Sequence, residues 1–315
     1  KPDLFLKLST KNKSIHLLAE VVARPSRAVF MNRIDRIKIS ANLCDALPII
    51  IAPYLSPDER SICRDHQVLF LDLSGNQWIS FEGFLIEREG FKNKFPEERG
   101  GRNPFSDKAS LIIRELISNY GMERGVRELA VLLNLSPGYV SKIVLELEKR
   151  SYIQKLKNGL RLINPEELIT DWVSHYSIRN NRLHKYFLSV PGVDEVLNKV
   201  RKINPSRSEY ALTGQAGASL VYKHASYDTV HIYVNDKNAQ SLFVDSLQMN
   251  MVERGENVIL MDPKYKKSVF YGSRNISGLN IVSDLQLYLD LYHYQKRGRE
   301  QAEKIFEEKL APIFK

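Results

Sequence analysis

Residues 126–161 contain the pattern that most limits how this chain can fold. Over 126–133, Leu129 and Leu133 lie one helical turn apart and share a face. Ala130 stands where a second helix would cross most closely, and a larger side chain there would push the helices apart. Asn134 follows at a position that favours left-handed backbone, which Gly and, less readily, Asn adopt at low cost. The pattern predicts a helix that ends in a tight turn.

A second helix is predicted directly after this turn. Ser136 is a good N-cap, and Pro137 is a good first helical residue. The apolar positions that recur at helical spacing and are predicted to face inward are Val140, Ile143, Val144 and Leu147. The positions predicted to face outward at the N-terminal end are Ser136, Gly138, Tyr139, Ser141 and Lys142. In a helix-turn-helix this end of the second helix contacts base edges in the major groove of DNA.

A β-hairpin is predicted over residues 152–163. Asn158–Gly159 is the strongest short hairpin signal that a sequence can carry. The basic residues of the hairpin are Lys155, Lys157 and Arg161, which are predicted to contact phosphates. With a first helix that starts at Ser106–Asp107, these elements predict a winged helix-turn-helix domain over 106–165 and double-stranded DNA as its partner. The alternative is a three-helix domain whose hairpin serves dimerisation or another protein contact.

Composition agrees with a nucleic-acid partner. The chain has 315 residues and a net charge of +9, which favours two or three domains and a polyanionic partner. Its two cysteines, Cys44 and Cys63, have neither the spacing of a metal site nor the number of a disulfide framework. No run approaches the roughly 18 apolar residues of a membrane span. We therefore expect a cytoplasmic protein without a cofactor and without a membrane partner.

Residues 1–90 alternate strand and helix patterns and predict a small α/β domain. The predicted strands are 4–8, 15–23, 48–54, 68–73 and 77–81, and a helix starts at Ser56.

This first domain resembles the core of PD-(D/E)xK nucleases, in which an Asp and a Glu-x-Lys hold a divalent metal. Asp3 matches the Asp, Glu20 matches the Glu, and Val22 stands in the place of the lysine. Because the ammonium that would stabilise the transition state is absent, we expect a degenerate nuclease scaffold without cutting activity. Two alternatives stay open: Asp3 and Glu20 bind Mg²⁺ and the chain nicks DNA, or both are solvent-facing strand residues.

Residues 91–105 are charged, contain Gly and Pro, and show no apolar period, which predicts a linker. The alternative is that Lys94, Arg99 and Arg102 follow a DNA backbone.

Residues 166–315 predict a C-terminal α/β domain. Its order of a Gly-Ala-Ser segment, a helix and a strand is similar to nucleotidyltransferases, whose Gly-Ser precedes an Asp-x-Asp pair that binds two metals. Here Ser219 follows Gly217 after one extra residue, Asp228 stands alone, and His231 occupies the place of the second carboxylate. Without the acidic pair, the ligands that would bind the two metals for phosphoryl transfer are missing, so we expect a decayed domain and no enzyme activity. His231 is interpreted as a packed strand residue.

Six further segments carry a common resemblance: Pro53–Ser56, Leu71–Asn76, Asn103–Ser110, Ala211–Gly214, Leu287–Leu291 and Arg297–Glu300. Together they resemble one family, the AbiE-type antitoxins of abortive-infection (type IV) toxin–antitoxin systems and related winged-helix regulators. The resemblance implies a multidomain α/β and α+β protein that represses its own operon through the winged helix. It also implies that the C-terminal domain opposes a nucleotidyltransferase-like toxin without forming a stable complex with it.

Two functional hypotheses follow. In the first, the chain is a non-enzymatic, sequence-specific transcriptional regulator whose operator contains inverted repeats, bound by a dimer or by cooperating monomers. In the second, it is a metal-dependent DNA-processing protein or nuclease that its winged helix directs to a site.

Overall fold

The computed structural model describes residues 3–9, 14–22, 25, 27–81, 83–95, 102–203, 210–222, 227–294 and 297–315. Residues 96–101 of the predicted linker, including Arg99, lie outside the described residues. The chain forms two compact units. The first contains Lys1–Arg102, Val144–Gln154 and Glu166–Ser174, and the second contains Asn103–Ile143, Lys155–Pro165 and His175–Lys315. The domain limits at 90, 105 and 165 stay a prediction from the sequence.

The first unit contains a six-stranded sheet in which the strands are neighbours in chain order. The strands are β1 (Leu4–Ser9), β2 (Ser14–Val21), β3 (Leu47–Ala52), β4 (Leu69–Asp72), β5 (Gln77–Phe81) and β6 (Phe84–Arg88). The three central strands β2, β3 and β4 run parallel, and the other neighbours pair antiparallel. The predicted strands are confirmed, whereas β6 was not predicted.

Two helices, α1 (Arg27–Leu43) and α2 (Pro57–Asp65), contribute to the core on one face of this sheet. The core joins Phe30 and Ile34 of α1 to Leu18 and Ile50 of the strands, all of them buried. Helix α2 begins with the predicted N-cap Ser56, whose hydroxyl accepts from the backbone N–H of Glu59 while the Glu59 carboxylate accepts from the backbone N–H of Ser56.

The predicted helices and hairpin over 106–163 form as α3 (Asp107–Ser118), α4 (Val126–Leu132), α5 (Pro137–Lys149), β7 (Ile153–Leu156) and β8 (Gly159–Leu162). A further helix, α6 (Pro165–His175), follows. Helix α3 is buried almost all round, from Ala109 to Ile117. Such burial is typical of a central helix rather than of an amphipathic surface helix.

The rest of the second unit is built on a mixed seven-stranded sheet of order β12-β9-β13-β11-β10-β15-β14. Its strands are β9 (Arg182–Phe187), β10 (Tyr210–Thr213), β11 (Val230–Val234), β12 (Asn250–Met251), β13 (Val258–Asp262), β14 (Arg274–Ile276) and β15 (Leu279–Ile281). The helices of this part are α7 (Val193–Ile203), α8 (Gly214–Val221), α9 (Lys237–Leu247), α10 (Asp284–Tyr292) and α11 (Gly298–Ile305). The protein is therefore a mixed α/β structure with several sheets.

The two faces of the seven-stranded sheet differ in chemistry. On β11, Val230, Ile232 and Val234 enter an apolar core with residues of α7 and α9. His231 and Tyr233 alternate with them and lie on the opposite face, because neighbouring side chains of a strand point in opposite directions. The polar groups described below lie on that second face.

Taken singly, no helix in the described part of the chain is long and apolar enough to cross a membrane; α4 and α5 pass that test only as a pair, with a bend of 119° between them.

Candidate nucleic-acid interface

The turn between α4 and α5 has the geometry that its sequence predicts. Asn134 has a φ of +51°, so the predicted left-handed backbone is confirmed. The backbone N–H of Leu135 donates to the carbonyl of Ala130 at 2.9 Å, which closes the turn. Leu129 and Ala130 are 0% and 2% exposed. The two helices diverge by 119°, within the range of helix-turn-helix pairs.

The start of α5 leaves a polar surface open. Ser136 caps the helix, since its hydroxyl accepts from the backbone N–H of Tyr139 at 3.3 Å. The four apolar positions predicted to face inward are at most 1% exposed: Val140, Ile143, Val144 and Leu147. The predicted outward positions Ser136, Gly138, Ser141 and Lys142 are exposed, and Tyr139 is half-buried. The helix therefore separates a buried face from a polar face at its N-terminal end.

The hairpin forms, but its turn differs from the prediction. The turn residues are Lys157 and Asn158, while Gly159 already belongs to β8. Gly159 is needed for a different reason, because a Cβ there would lie 2.9 Å from the carbonyl oxygen of Arg124. Arg124 and Leu160 exchange two backbone hydrogen bonds, of 3.1 and 2.9 Å. The glycine lets the chain before α4 approach the hairpin closely.

The basic side chains of the hairpin are on its surface. Lys155, Lys157 and Arg161 are all exposed, and Arg161 donates to the carboxylate of Glu123 at 2.7 Å. An exposed pair of this kind contributes little to stability, so Arg161 can exchange this partner for a phosphate at small cost.

Sequence reasoning missed a buried polar cluster on the second face of the seven-stranded sheet. At its centre is Asp290 of α10, which is 0% exposed. Its carboxylate accepts four hydrogen bonds: from Tyr176 at 2.5 Å, Thr213 at 2.6 Å, Gln286 at 2.9 Å and Tyr233 at 3.0 Å. Burial raises the pKa of Asp290 to about 6, and the donated hydrogen bonds offset only part of that rise. The lone Asp in the apolar run 285–291 was the one signal of this cluster in the sequence.

The cluster continues to helix α3. The guanidinium of Arg114 donates to the side-chain oxygen of Gln286 at 2.5 Å, and burial lowers the pKa of Arg114. At the start of the same helix, the Asp107 carboxylate accepts from the backbone N–H groups of Lys267 and Ser268 at 3.0 and 2.9 Å. These bonds fasten α3 to the strands and loops of the C-terminal sheet.

Of the two residues matched to a nuclease site, Glu20 forms buried ion pairs, whereas Asp3 faces solvent. Glu20 is 2% exposed, so its interpretation as a solvent-facing residue was wrong; Asp3 is exposed. The Glu20 carboxylate binds the guanidinium of Arg36 and lies 3.6 Å from that of Arg33. Arg33 also binds Glu167 at 2.5 Å. Burial raises the pKa of Glu20 despite these cations, and the neighbouring Asp3 adds to the rise.

The burial of Val22 explains why a lysine at this position would require the surrounding core to rearrange. It is 1% exposed and belongs to the apolar core beneath α1. The carboxylate of Asp3 accepts from the backbone N–H of Val21 at 2.8 Å, which fixes the beginning of β1 to β2. Within the described ranges, no three His, Cys, Asp or Glu side chains come together as a metal site.

The residues compared with nucleotidyltransferases have local partners. The hydroxyl of Ser219 donates within its own helix to the carbonyl of Ala216 at 2.8 Å, and Asp228 is exposed and accepts from Thr229 at 3.0 Å. His231 is 4% exposed, in agreement with a packed strand residue, and burial lowers its pKa to about 4.

Comparison with known proteins gives one match. Residues 161–311, a little under half of the chain, match a family described as transcriptional regulator, AbiEi antitoxin of type IV toxin–antitoxin systems. No curated protein and no solved structure matches. The matched stretch begins in β8 and contains the whole C-terminal sheet with the Asp290 cluster. This part of the chain is similar to AbiEi-type antitoxins, which are transcriptional regulators.

Proposed function

We propose that this protein is a DNA-binding transcriptional regulator that serves as the antitoxin of a type IV toxin–antitoxin system. The observation that carries the proposal is the polar N-terminal face of α5, which follows a closed turn at Asn134 and is accompanied by a basic hairpin. Helix α5 enters the major groove, where Ser136, Gly138, Tyr139, Ser141 and Lys142 read base edges. The match over 161–311 supports the antitoxin role.

The hairpin is the wing of this winged helix-turn-helix. Lys155, Lys157 and Arg161 contact phosphates beside the groove that α5 occupies. The two backbone hydrogen bonds between Arg124 and Leu160 support this assignment, since they hold the hairpin against the chain segment that leads into α4.

The protein carries out no chemistry on the DNA. The ion pairs of Glu20 with Arg33 and Arg36 support this part of the proposal, because a carboxylate that two guanidinium groups neutralise is a poor ligand for Mg²⁺. The chain acts on its toxin by controlling expression of the operon and by opposing the toxin's effect through the C-terminal domain.

The test is fluorescence anisotropy of the full chain on DNA from upstream of its own reading frame and on scrambled DNA, at two salt concentrations. Tighter binding to the upstream DNA that persists at the higher salt supports a sequence-specific regulator. Equal and strongly salt-dependent binding to both DNAs contradicts it. Gel inspection after addition of Mg²⁺ or Mn²⁺ shows whether the DNA stays intact, and a nicked product contradicts the non-enzymatic role.

The antitoxin role needs its own measurement. Co-expression of the neighbouring gene with and without this chain tests it, and the role requires that the chain restore growth. A matched co-expression with Asp290→Asn, which alters the matched stretch only, reports whether the C-terminal domain contributes.

A further inference from the structure

A pocket of about 270 Å³ opens on the second face of the seven-stranded sheet, and none of the residues assigned to DNA lines it. Its floor is made by Leu183 of β9 with Ile259 and Met261 of β13. Val258 and Leu260 alternate with the last two and point into the core on the other face. The floor is therefore apolar; Leu183 is its exposed part at 42%, whereas Ile259 and Met261 are buried.

Charged side chains line the pocket together with this floor. Lys185 and Glu256 form an ion pair of 2.8 Å, and its hydrogen bond lowers the pKa of Glu256. Arg179 contributes a second cation and is exposed. Arg179, Lys185 and Glu256 together carry one excess positive charge, and His231 with its pKa of about 4 adds none at pH 7. The imidazole of His293 also lines the pocket.

His231 supplies a buried polar group. The residue is 4% exposed and lines the pocket, and its Nδ1 makes no hydrogen bond to the described residues. The ring of Tyr294 stands edge-on to the imidazole, with 5.4 Å between ring centres. Buried polar atoms in native proteins are nearly always hydrogen-bonded, so this unpaired nitrogen is an unusual feature of a side chain in the pocket wall.

We propose that this pocket binds a small organic monoanion with a flat apolar ring, of the aromatic carboxylate class. The ring lies on Leu183 and the edge of Ile259, and the carboxylate pairs with Arg179. The single excess charge of the lining matches one carboxylate and disfavours a dianion. The site is independent of the DNA-binding assignment, so either can fail while the other stands.

The test uses benzoate as the probe and the full chain, with ligand-observed NMR and the thermal unfolding midpoint as readouts. Benzoate is expected to bind and to raise the midpoint, while benzamide, which has the same ring without the charge, binds more weakly by about tenfold or more. Acetate, which has the charge without the ring, is expected not to raise the midpoint. Equal binding of benzoate and benzamide overturns the proposal, as does no binding of either to folded protein.

Variants locate the site. Arg179→Gln is expected to remove the preference for benzoate over benzamide, whereas Arg182→Gln, an exposed arginine outside the lining, leaves it unchanged. Leu183→Trp fills the pocket from a side chain that is 42% exposed, so the fold tolerates it, and it is expected to abolish binding of both probes. Benzoate binding that survives both Arg179→Gln and Leu183→Trp contradicts the assignment to this pocket.

Discussion

The hydroxyl of Tyr176 donates to the carboxylate of Asp290 at 2.5 Å inside the core, 114 positions along the chain. Both residues are buried, and Tyr233 and Gln286 donate to the same carboxylate oxygen. Burial raises the pKa of Tyr176 well above its ordinary value, so this hydroxyl keeps its proton and stays a donor. The ionisation of Asp290 is thus the titration of this cluster nearest to neutral pH.

The Asp290 cluster predicts a defined pH dependence of stability. The folded pKa of about 6 lies above the ordinary 3.8, so the contribution of this carboxyl is fully present below about pH 4 and is lost as the pH rises through 6. Asp290→Asn removes this titration. The difference in free energy of unfolding between wild type and variant is therefore expected to shrink by about 1 kcal/mol between pH 5 and pH 7.5. Urea unfolding of both proteins at the two pH values measures it. A difference that stays constant or grows with pH would contradict the raised pKa.

Gly159 and Gly138 form a matched pair for testing why the chain needs glycine at position 159. Gly159→Ala places a Cβ 2.9 Å from the Arg124 carbonyl oxygen, and the resulting overpacking is expected to cost about 1–3 kcal/mol of stability. Gly138→Ala meets nothing within 4 Å in α5, so the unfolding free energy should rise slightly through helix propensity. Urea unfolding compares them. If the two substitutions cost the same, the close approach at Gly159 is not what requires glycine.

Lys142 and Lys157 are expected to affect DNA binding differently. Lys142→Ala, at the groove-facing end of α5, weakens binding to upstream DNA by about 1–3 kcal/mol and scrambled DNA less. Lys157→Ala, in the hairpin turn, weakens binding to every sequence and reduces the salt slope by about one unit. Anisotropy titrations over a salt series measure both, with the exposed Lys108→Ala of α3 as control. Equal losses on upstream and scrambled DNA for both variants would contradict the assignment of Lys142 to base edges and Lys157 to phosphates.

Glu20 provides the test between an ion pair and a metal site. Glu20→Gln removes one of the two carboxylates that Arg33 and Arg36 share. Because Glu167 still pairs with both guanidinium groups, the expected cost is about 1–3 kcal/mol. Asp3→Asn, at an exposed carboxylate, is the control and should cost about 1 kcal/mol or less. Thermal unfolding with and without millimolar Mg²⁺ reads both. A midpoint of the wild type that rises with Mg²⁺, and does so in neither variant, would establish a metal site instead.

The local parts of the fold were predictable because local chemistry determines them. The turn at Asn134 and the cap at Ser136 each depend on residues within five positions of each other, and both have the expected geometry. The hairpin was predicted correctly, yet the reason for Gly159 was wrong. Glycine is required at position 159 because the backbone of Arg124, 35 positions earlier, lies too close for a Cβ. A turn pattern in the sequence does not indicate such a distant contact.

The charged and polar clusters were not predictable in the same way. Arg114 meets Gln286 across 172 positions, and nothing in either neighbourhood indicates the partner. Glu20 was different, since Arg33 and Arg36 stand three residues apart on α1 and therefore share a helical face. That spacing predicts two neighbouring cations that could pair with one carboxylate, whereas the resemblance to a nuclease favoured a metal site at Glu20.

Two backbone hydrogen bonds between Arg124 and Leu160 hold the hairpin against the segment that leads into α4, and the exposed ion pair of Arg161 with Glu123 joins the same two segments. Side chains on the outer face of α5 take no part in that attachment. Under the proposed binding mode, substitutions at Ser141 or Lys142 would change which bases are preferred and would leave the backbone bonds between Arg124 and Leu160 in place.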